Sequence, residues 1–196
     1  MASKQTTNPR MLISGIDDYI SPYKSIEKHS GVCYLYIYFR LPSIKHPSRV
    51  WNLRRGTGHV FISLQKISDG DTVSRYFGFY PRNTQPIILS FRAVPGELSD
   101  NRFHSYDASF RIRLKSQQLK ELLAFIRLKA AGSSFCTYQN NCVHFALSAI
   151  YRVVPKSSFD KVQVYHKFLP KSCATPGDLY ETLSVSKSFE RIQPLK

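Results

Sequence analysis

The chain has 196 residues, and 28 Lys and Arg against 13 Asp and Glu give it a formal net charge of +15. A chain of this length is one domain by default, and its 42% hydrophobic residues can build a core, which excludes a disordered basic tail. No apolar run approaches the roughly 20 residues of a membrane span. The N-terminus has no apolar segment behind its first charges, so we expect no Sec signal peptide. Such a chain would stay in the cytoplasm or leave by a specialised secretion system.

The positive charge is spread along the chain, and its longest basic run is Arg54-Arg55. DNA-binding arms and nuclear-localisation patches are blocks of basic residues, which makes nucleic acid an unlikely partner. A distributed excess fits general attraction to a polyanion, such as nucleic acid, anionic lipid or bacterial cell wall. A surface that only keeps the protein in solution explains the same charge equally well.

The first half of the chain predicts strands. Residues 1–31 are polar and turn-rich and are interpreted as a lead-in, with 32–196 as a single domain. β-branched and aromatic residues predict strands over 32–39, 59–65 and 72–80, and the turn signal Ser68-Asp69-Gly70-Asp71 joins the last two as a hairpin. Residues 81–102 are predicted to be a loop around the short apolar segment Ile87-Ile88-Leu89.

The second half turns from strand to helix. Residues 105–114 alternate as one more strand, whose predicted buried face is Tyr106, Ala108, Phe110, Ile112 and Leu114. Residues 116–131 carry a helical stripe with Ser116 as N-cap and Gly132 as C-terminal stop. A second helix begins at Asn141 or Cys142 and ends before Pro155, and a turn at 175–179 leads into a short helix. Strands followed by helices indicate an α+β fold.

The four cysteines are Cys33, Cys136, Cys142 and Cys173. They form no CxxC and have no histidine at metal-ligand spacing, so we expect no metal and no cofactor. Free thiols are expected without a signal peptide, although a disulfide between Cys136 and Cys142 stays open. Cys142 lies in the first turn of a predicted amphipathic helix, where unpaired N–H groups and the helix dipole favour a thiolate. A small buried cysteine without reactivity fits the same position.

A nucleophilic thiol needs a base, and His59 is the best placed of six histidines. It follows Gly56-Thr57-Gly58 and opens a predicted strand, which would hold its ring on a rigid sheet. His144 comes two residues after Cys142, and on a helix this spacing points it away from the thiol. We therefore expect His144 to pack or to form hydrogen bonds. The other four lie in polar loops without supporting context: His29, His46, His104 and His166.

His59 comes before Cys142 along the chain, and both lie in short motifs that belong to a set of four. The motifs are Gly58-His59-Val60-Phe61-Ile62, Gly78-Phe79-Tyr80-Pro81, Tyr138 with Asn141-Cys142-Val143-His144-Phe145-Ala146, and Thr175-Pro176-Gly177-Asp178-Leu179. The ordered set, over residues 32–183, resembles the circularly permuted branch of the NlpC-type papain-like superfamily. The Asn-Cys-x-His-Phe string is also similar to the nucleophile motif of lecithin:retinol-acyltransferase-like proteins within that branch. The resemblance implies an antiparallel sheet packed against helices, with the nucleophile at a helix N-terminus.

The resemblance also implies roles for single residues. Cys142 would be the nucleophile, with its backbone N–H in the oxyanion hole, and His59 would be the general base and later the acid. A third polar residue usually orients the histidine from a neighbouring strand, and no Asp, Glu, His or Gln stands at the expected place. A hairpin that turns at Asp69-Gly70 puts Tyr80 opposite His59, so Tyr80 either orients the ring or packs in the core. Asn141 is either the helix N-cap or a polar neighbour of the site.

Three functional hypotheses follow. The first is a thiol hydrolase that works through an acyl-enzyme and cleaves an amide bond in bacterial cell-wall peptides, as an antibacterial effector with an inhibitor or immunity protein would. The second is a lipid acyltransferase or phospholipase of the same superfamily, whose basic charge would meet anionic lipid. The third is a non-catalytic basic module that binds nucleic acid or protein, with Tyr34, Tyr36 and Tyr38 as a stacking platform.

Overall fold

The computed structural model describes residues 11–24, 31–53, 55–82, 92–155 and 173–192. Within these ranges the chain forms eight strands, four α-helices and one short 3-10 helix. In chain order they are β1 (Met11–Leu12), α1 (Ile16–Tyr19), the 3-10 helix (Ser21–Tyr23), β2 (Val32–Arg40), β3 (His59–Ser68), β4 (Asp71–Pro81), β5 (Val94–Asp100), β6 (Ala108–Leu114), α2 (Ser116–Ala131), β7 (Ser133–Phe135), α3 (Cys142–Ile150), α4 (Pro176–Val185) and β8 (Glu190–Ile192). The predicted α+β class is confirmed.

The strands form one antiparallel sheet in the order β1-β5-β4-β3-β2-β6-β8, with β7 also paired to β5. At its centre, β3 and β4 form the predicted hairpin. Its turn residues Asp69 and Gly70 have φ of 49° and 87°, as a two-residue turn with both central residues at positive φ requires. The resulting register places Ile62 opposite Phe77.

The sheet splits between β3 and β4. β4 pairs with β3 from Asp71 to Phe77, and from Gly78 to Pro81 it pairs with β5 instead. The first three residues of β3, 59–61, therefore have no backbone partner on β4. This split lies at the end of the sheet that carries His59.

The two faces of the sheet differ in chemistry. The helix face buries aliphatic and phenylalanine side chains against α2 and α3, and Phe145 of α3 packs between Phe79 and Phe125 at 5.9 and 5.4 Å between ring centroids. Alternation along the strands puts a second set on the opposite face, which we call the tyrosine face: Tyr34, Tyr36, Tyr38, His59 and Phe61. Tyr38 stacks on Tyr36 and on Phe61 at 5.9 and 4.8 Å. An aromatic row thus leads along the sheet to His59.

Residues before position 32 contribute to the core. Ile20 and Tyr23 are buried in the same cluster as the central strands. The Tyr23 hydroxyl donates to the carbonyl of Leu64 at 2.6 Å and lies 3.2 Å from that of Val73. The described part of the lead-in is therefore fastened to the central hairpin.

Three predictions about elements are wrong. The region 81–102 is not all loop, because residues 94–100 form β5. Its Val-Pro-Gly-Glu-Leu-Ser-Asp sequence has little strand propensity, so pairing with β4 and β7 determines its structure. Tyr106 precedes β6 and packs on Tyr38, across the sheet from the core. Lys115 rather than Ser116 takes the N-cap position of α2. The segment Ile87-Ile88-Leu89 lies outside the described residues.

Candidate active site

Cys142 is the first residue of α3, and Asn141 is its N-cap. Asn141 Oδ1 accepts from the N–H groups of Val143 and His144 at 2.9 and 3.2 Å. Its amide group donates to two backbone carbonyls, those of Thr137 and Ala174. The N-cap interpretation of Asn141 is confirmed, and such a cap stabilises a helix by about 1 kcal/mol.

His144 belongs to the same cap. Its Nδ1 lies 2.9 Å from Asn141 Oδ1 and 3.4 Å from the Asn141 backbone nitrogen. The ring is thus tied to the residue that starts the helix. This agrees with the hydrogen-bonding role predicted from its spacing to Cys142.

The thiol of Cys142 lies against the start of β3. Hydrogen bonds from the N–H groups of Val60, Val143 and Cys142 itself lower its pKa, but burial acts in the opposite direction and raises the pKa to about 11. The N–H groups at the helix terminus favour the thiolate as predicted, but burial acts more strongly and the net pKa is raised. Loss of hydration outweighs the stabilisation that the N–H groups and the helix dipole give to the thiolate, because burial destabilises the charged form of a thiol.

His59 opens β3 and is only 8% exposed. The residue before it, Gly58, has a φ of 78° and approaches β2 so closely that a β-carbon would lie 2.5 Å from the Arg40 carbonyl oxygen. A glycine is required there for both reasons, and it fixes the point at which the chain enters β3. The imidazole is thereby fixed at the split in the sheet.

Tyr80 lies where the predicted hairpin register placed it. Backbone pairing of β4 with β3 ends at Phe77, yet the Tyr80 ring stacks on His59 with 4.5 Å between centroids and 25° between planes. Phe61 lies on His59 as well, at 6.0 Å. The imidazole is held between two aromatic rings, which restricts its rotation.

Asn101 is the polar neighbour of His59 that the sequence did not reveal. Its Nδ2 lies 3.3 Å from His59 Nε2 and donates to the Tyr80 hydroxyl at 2.6 Å, and the residue is 4% exposed. It follows β5 directly, in a region predicted to be loop, and asparagine is not among the residue types expected for this place, which are Asp, Glu, His and Gln. The available signal was Gly78, because a glycine inside a strand often marks the close approach of another group.

His104 also stands beside His59, although the sequence offered no reason to expect it. Their ring centroids are 5.1 Å apart, and His104 lies 5.4 Å from Phe61. His104 Nδ1 is 2.9 Å from the carbonyl oxygen of Ser105, so that nitrogen carries the hydrogen. Of the other histidines, His46 lies in the loop after β2, and His29 and His166 are outside the described residues.

The structure thus gathers His59, Tyr80, Asn101 and His104 on one side of the split, and brings the Cys142 sulfur to the N–H of the residue after His59. Asn141 caps the helix that begins at Cys142. All four cysteines are free thiols. Burial raises the pKa of Cys33 and of Cys173 as well.

In the described part of the chain, no helix is both long and apolar enough to cross a membrane.

Comparison with known proteins adds nothing to this geometry. A scan against protein-family models, a search of curated proteins and a search of solved structures each find no match to the chain. Any function must therefore be argued from the residues at the split in the sheet.

Proposed function

We propose that the protein is a cysteine hydrolase of the permuted papain-like type, with Cys142 as nucleophile, His59 as general base and acid, and Asn101 as the residue that positions His59. The observation that carries the proposal is the 3.3 Å approach of Asn101 Nδ2 to His59 Nε2. His59 is the first residue of β3, and the backbone N–H of the next residue, Val60, hydrogen-bonds the Cys142 sulfur. In the proposal, Cys142, His59 and Asn101 supply the nucleophile, the base and the orienting group that a thiol acyl-transfer enzyme needs.

The raised pKa of Cys142 defines the first step. Its thiol is neutral at pH 7, so His59 takes the proton as the sulfur attacks the carbonyl carbon. The carbonyl electron pair moves to oxygen, and when it returns the C–N bond breaks and His59 gives the proton to the leaving amine. Water then attacks the thioester with His59 again as base. The acid product leaves, and the thiol is restored.

Asn101 suits both charge states of His59. For His59 to take the thiol proton at Nδ1, its Nε2 must carry the ring hydrogen, and with the amide turned by half a turn the Asn101 oxygen accepts from Nε2–H in both the neutral ring and the imidazolium. The Tyr80 hydroxyl fits this arrangement, because a hydroxyl either donates or accepts.

The oxyanion site that we assign uses the backbone N–H of Cys142. Asn141 occupies the N–H groups of Val143 and His144. The Cys142 N–H lowers the pKa of the thiol and belongs to the residue beside whose sulfur the negative oxygen would develop. A backbone donor fixed before the reaction is the kind that stabilises such an intermediate.

The substrate that we favour is an amide bond in a bacterial cell-wall peptide, because a net charge of +15 attracts an anionic polymer. A second candidate is an ester of an anionic lipid. Trp51 and Leu53, in the loop before His59, are 49% and 86% exposed. With Arg49 and Asn52 they line an open cavity of about 420 Å³. Exposed apolar side chains beside a cation suit a lipid surface.

Two measurements test the proposal. Alkylation by iodoacetamide, followed residue by residue with mass spectrometry, should label Cys142 in the wild type and much more slowly in His59→Ala. The buried thiols of Cys33, Cys136 and Cys173 serve as internal controls. Purified cell walls and anionic phospholipid vesicles are then incubated with the wild type and with Cys142→Ser.

New amino termini released from the walls support the first substrate, and released fatty acid supports the second. Each release should be lost in Cys142→Ser. The proposal is contradicted if Cys142 is labelled at the same rate in the wild type and in His59→Ala and if nothing is released from either material. The protein is then better described as a binding module, and its tyrosine face is the surface to examine.

A further inference from the structure

Arg40 stands next to His59 on the tyrosine face. It is the last residue of β2, and the strand register places it directly opposite His59. Residues in direct opposition on antiparallel strands point to the same face, with β-carbons about 4.5–5.5 Å apart. Arg40 is therefore the cation that the sheet itself brings to the base.

Among the described residues, the Nε of Arg40 is buried and has no hydrogen-bond acceptor. No ion pair joins its guanidinium to a carboxylate in the same part of the chain. A buried donor without an acceptor is destabilising, because it gives up its hydrogen bond to water. Such exceptions are few in folded proteins and call for an explanation.

A carboxylate lies close by, but it is already used. Asp107 bonds the backbone on both sides of Arg40, since its N–H donates to the Phe39 carbonyl at 2.7 Å and its Oδ2 accepts from the Leu41 N–H at 2.8 Å. Its other oxygen accepts from Arg55 at 2.7 Å. Arg55 therefore neutralises Asp107, and no carboxylate of the described residues pairs with Arg40.

We propose that Arg40 binds an anionic oxygen group of the substrate, a carboxylate or a phosphate, next to the bond that His59 and Cys142 act on. The inference rests on the proposed function and narrows its substrate. A guanidinium presents parallel N–H donors that match a carboxylate or a phosphate, and these charge-assisted bonds are stronger than neutral ones. A peptide with a free carboxylate and a phospholipid head group both carry this chemistry.

Three haloacetyl reagents test the inference, each alkylating Cys142 as the sulfur displaces chloride. N-chloroacetylglycine carries a carboxylate, N-chloroacetyl-phosphoethanolamine carries a phosphate, and N-chloroacetylglycinamide is neutral. We expect the wild type to react about tenfold faster with an anionic reagent than with the neutral one, as one charge-assisted hydrogen bond permits. A preference for the carboxylate indicates a peptide substrate, and a preference for the phosphate indicates a lipid.

Arg40→Gln should lose this preference while keeping the rate with the neutral reagent. Arg40→Lys keeps the charge without the paired donors and should retain part of it. The matched control is Arg113→Gln, which removes one charge from an exposed position of the same sheet and should leave the preference intact. An equal loss in both Gln variants would assign the effect to net charge and overturn the inference, as would an unchanged preference in Arg40→Gln.

A second readout does not depend on the reactivity of Cys142. In a Cys142→Ala background, inorganic phosphate should raise the melting temperature when Arg40 is present and fail to do so in Arg40→Gln, because a ligand stabilises only the state that binds it. If the alkylation rate with all three reagents is the same in His59→Ala as in the wild type, while phosphate still raises the melting temperature through Arg40, the proposed function fails and the anion site stands. If phosphate stabilises both proteins equally, the anion site fails.

Discussion

Asn101 fills the space that a side chain at Gly78 would occupy. A β-carbon built on Gly78 would lie 2.7 Å from Asn101 Cγ and 2.7 Å from Tyr80 Cε2, well inside the roughly 4 Å of an ordinary contact. Gly78 is also the residue at which β4 leaves β3 for β5. One missing side chain therefore serves both the split in the sheet and the group that meets His59.

Gly78→Ala should reduce the reactivity of Cys142 as much as the loss of Asn101 does. The new methyl group displaces the Asn101 amide and the Tyr80 ring, so His59 loses the partner of its Nε2. The measurement is the alkylation rate of Cys142, together with the melting temperature. Gly31→Ala is the control, since a β-carbon there comes no closer than 3.2 Å to its neighbours. Similar loss of reactivity in both variants would refute a specific role for Gly78.

Asn101→Ala should lower the reaction of Cys142 about 10- to 100-fold, the range expected for one hydrogen bond to a charged group. Tyr80→Phe keeps the ring on His59 and removes only the hydroxyl that Asn101 contacts, so its effect should be smaller. The double variant should react no more slowly than Asn101→Ala alone, because the hydroxyl acts through Asn101. Additive losses in this cycle would show that the two residues act independently.

The raised pKa of the Cys142 thiol makes stability depend on pH. As pH rises past the ordinary value of 9.0, the unfolded chain loses a proton that the folded protein keeps until about pH 11, so stability falls with rising pH. Between about pH 8 and pH 10.5 the wild type should lose about 2 kcal/mol relative to Cys142→Ala. Denaturant unfolding of both proteins measures the difference. A difference that does not change with pH contradicts a desolvated thiol.

Asp107→Ala should destabilise the protein by about 1–3 kcal/mol, because it leaves the Leu41 N–H and the Arg55 guanidinium without their acceptor. Denaturant unfolding at neutral pH checks this value. The control is Asp17→Ala, whose carboxylate is largely exposed and pairs with Lys24 and Arg127 on the surface. Such a pair contributes little, so the control should unfold close to the wild type.

The sequence could predict what depends on neighbours along the chain. The Asp69-Gly70 turn and the alternation on either side of it determine the hairpin register, and with it the position of Tyr80 beside His59. The N-cap Asn141 and the apolar stripe that follows it determine where α3 starts, and so where Cys142 stands. Each of these features needs only a few consecutive residues.

Features that depend on distant segments could not be predicted. The residues of β5 carry little strand signal, and the strand forms because β4 and β7 pair with it. Asn101 directly follows β5, so its position could not be predicted either. The raised pKa of Cys142 results from burial beneath other elements, which a helix-terminus argument does not include. The lack of an acceptor for Arg40 depends on how Asp107 and Arg55 pair.

The split in the sheet also affects when the site can form during synthesis. The hairpin of β3 and β4 is local and can fold early, but Asn101 comes after β5 and Cys142 only with α3. Domains generally fold as units during synthesis, and a growing chain carries no complete candidate site until residues through Ile150 have emerged. Under the proposed function, the chemistry therefore cannot begin before α3 has been made.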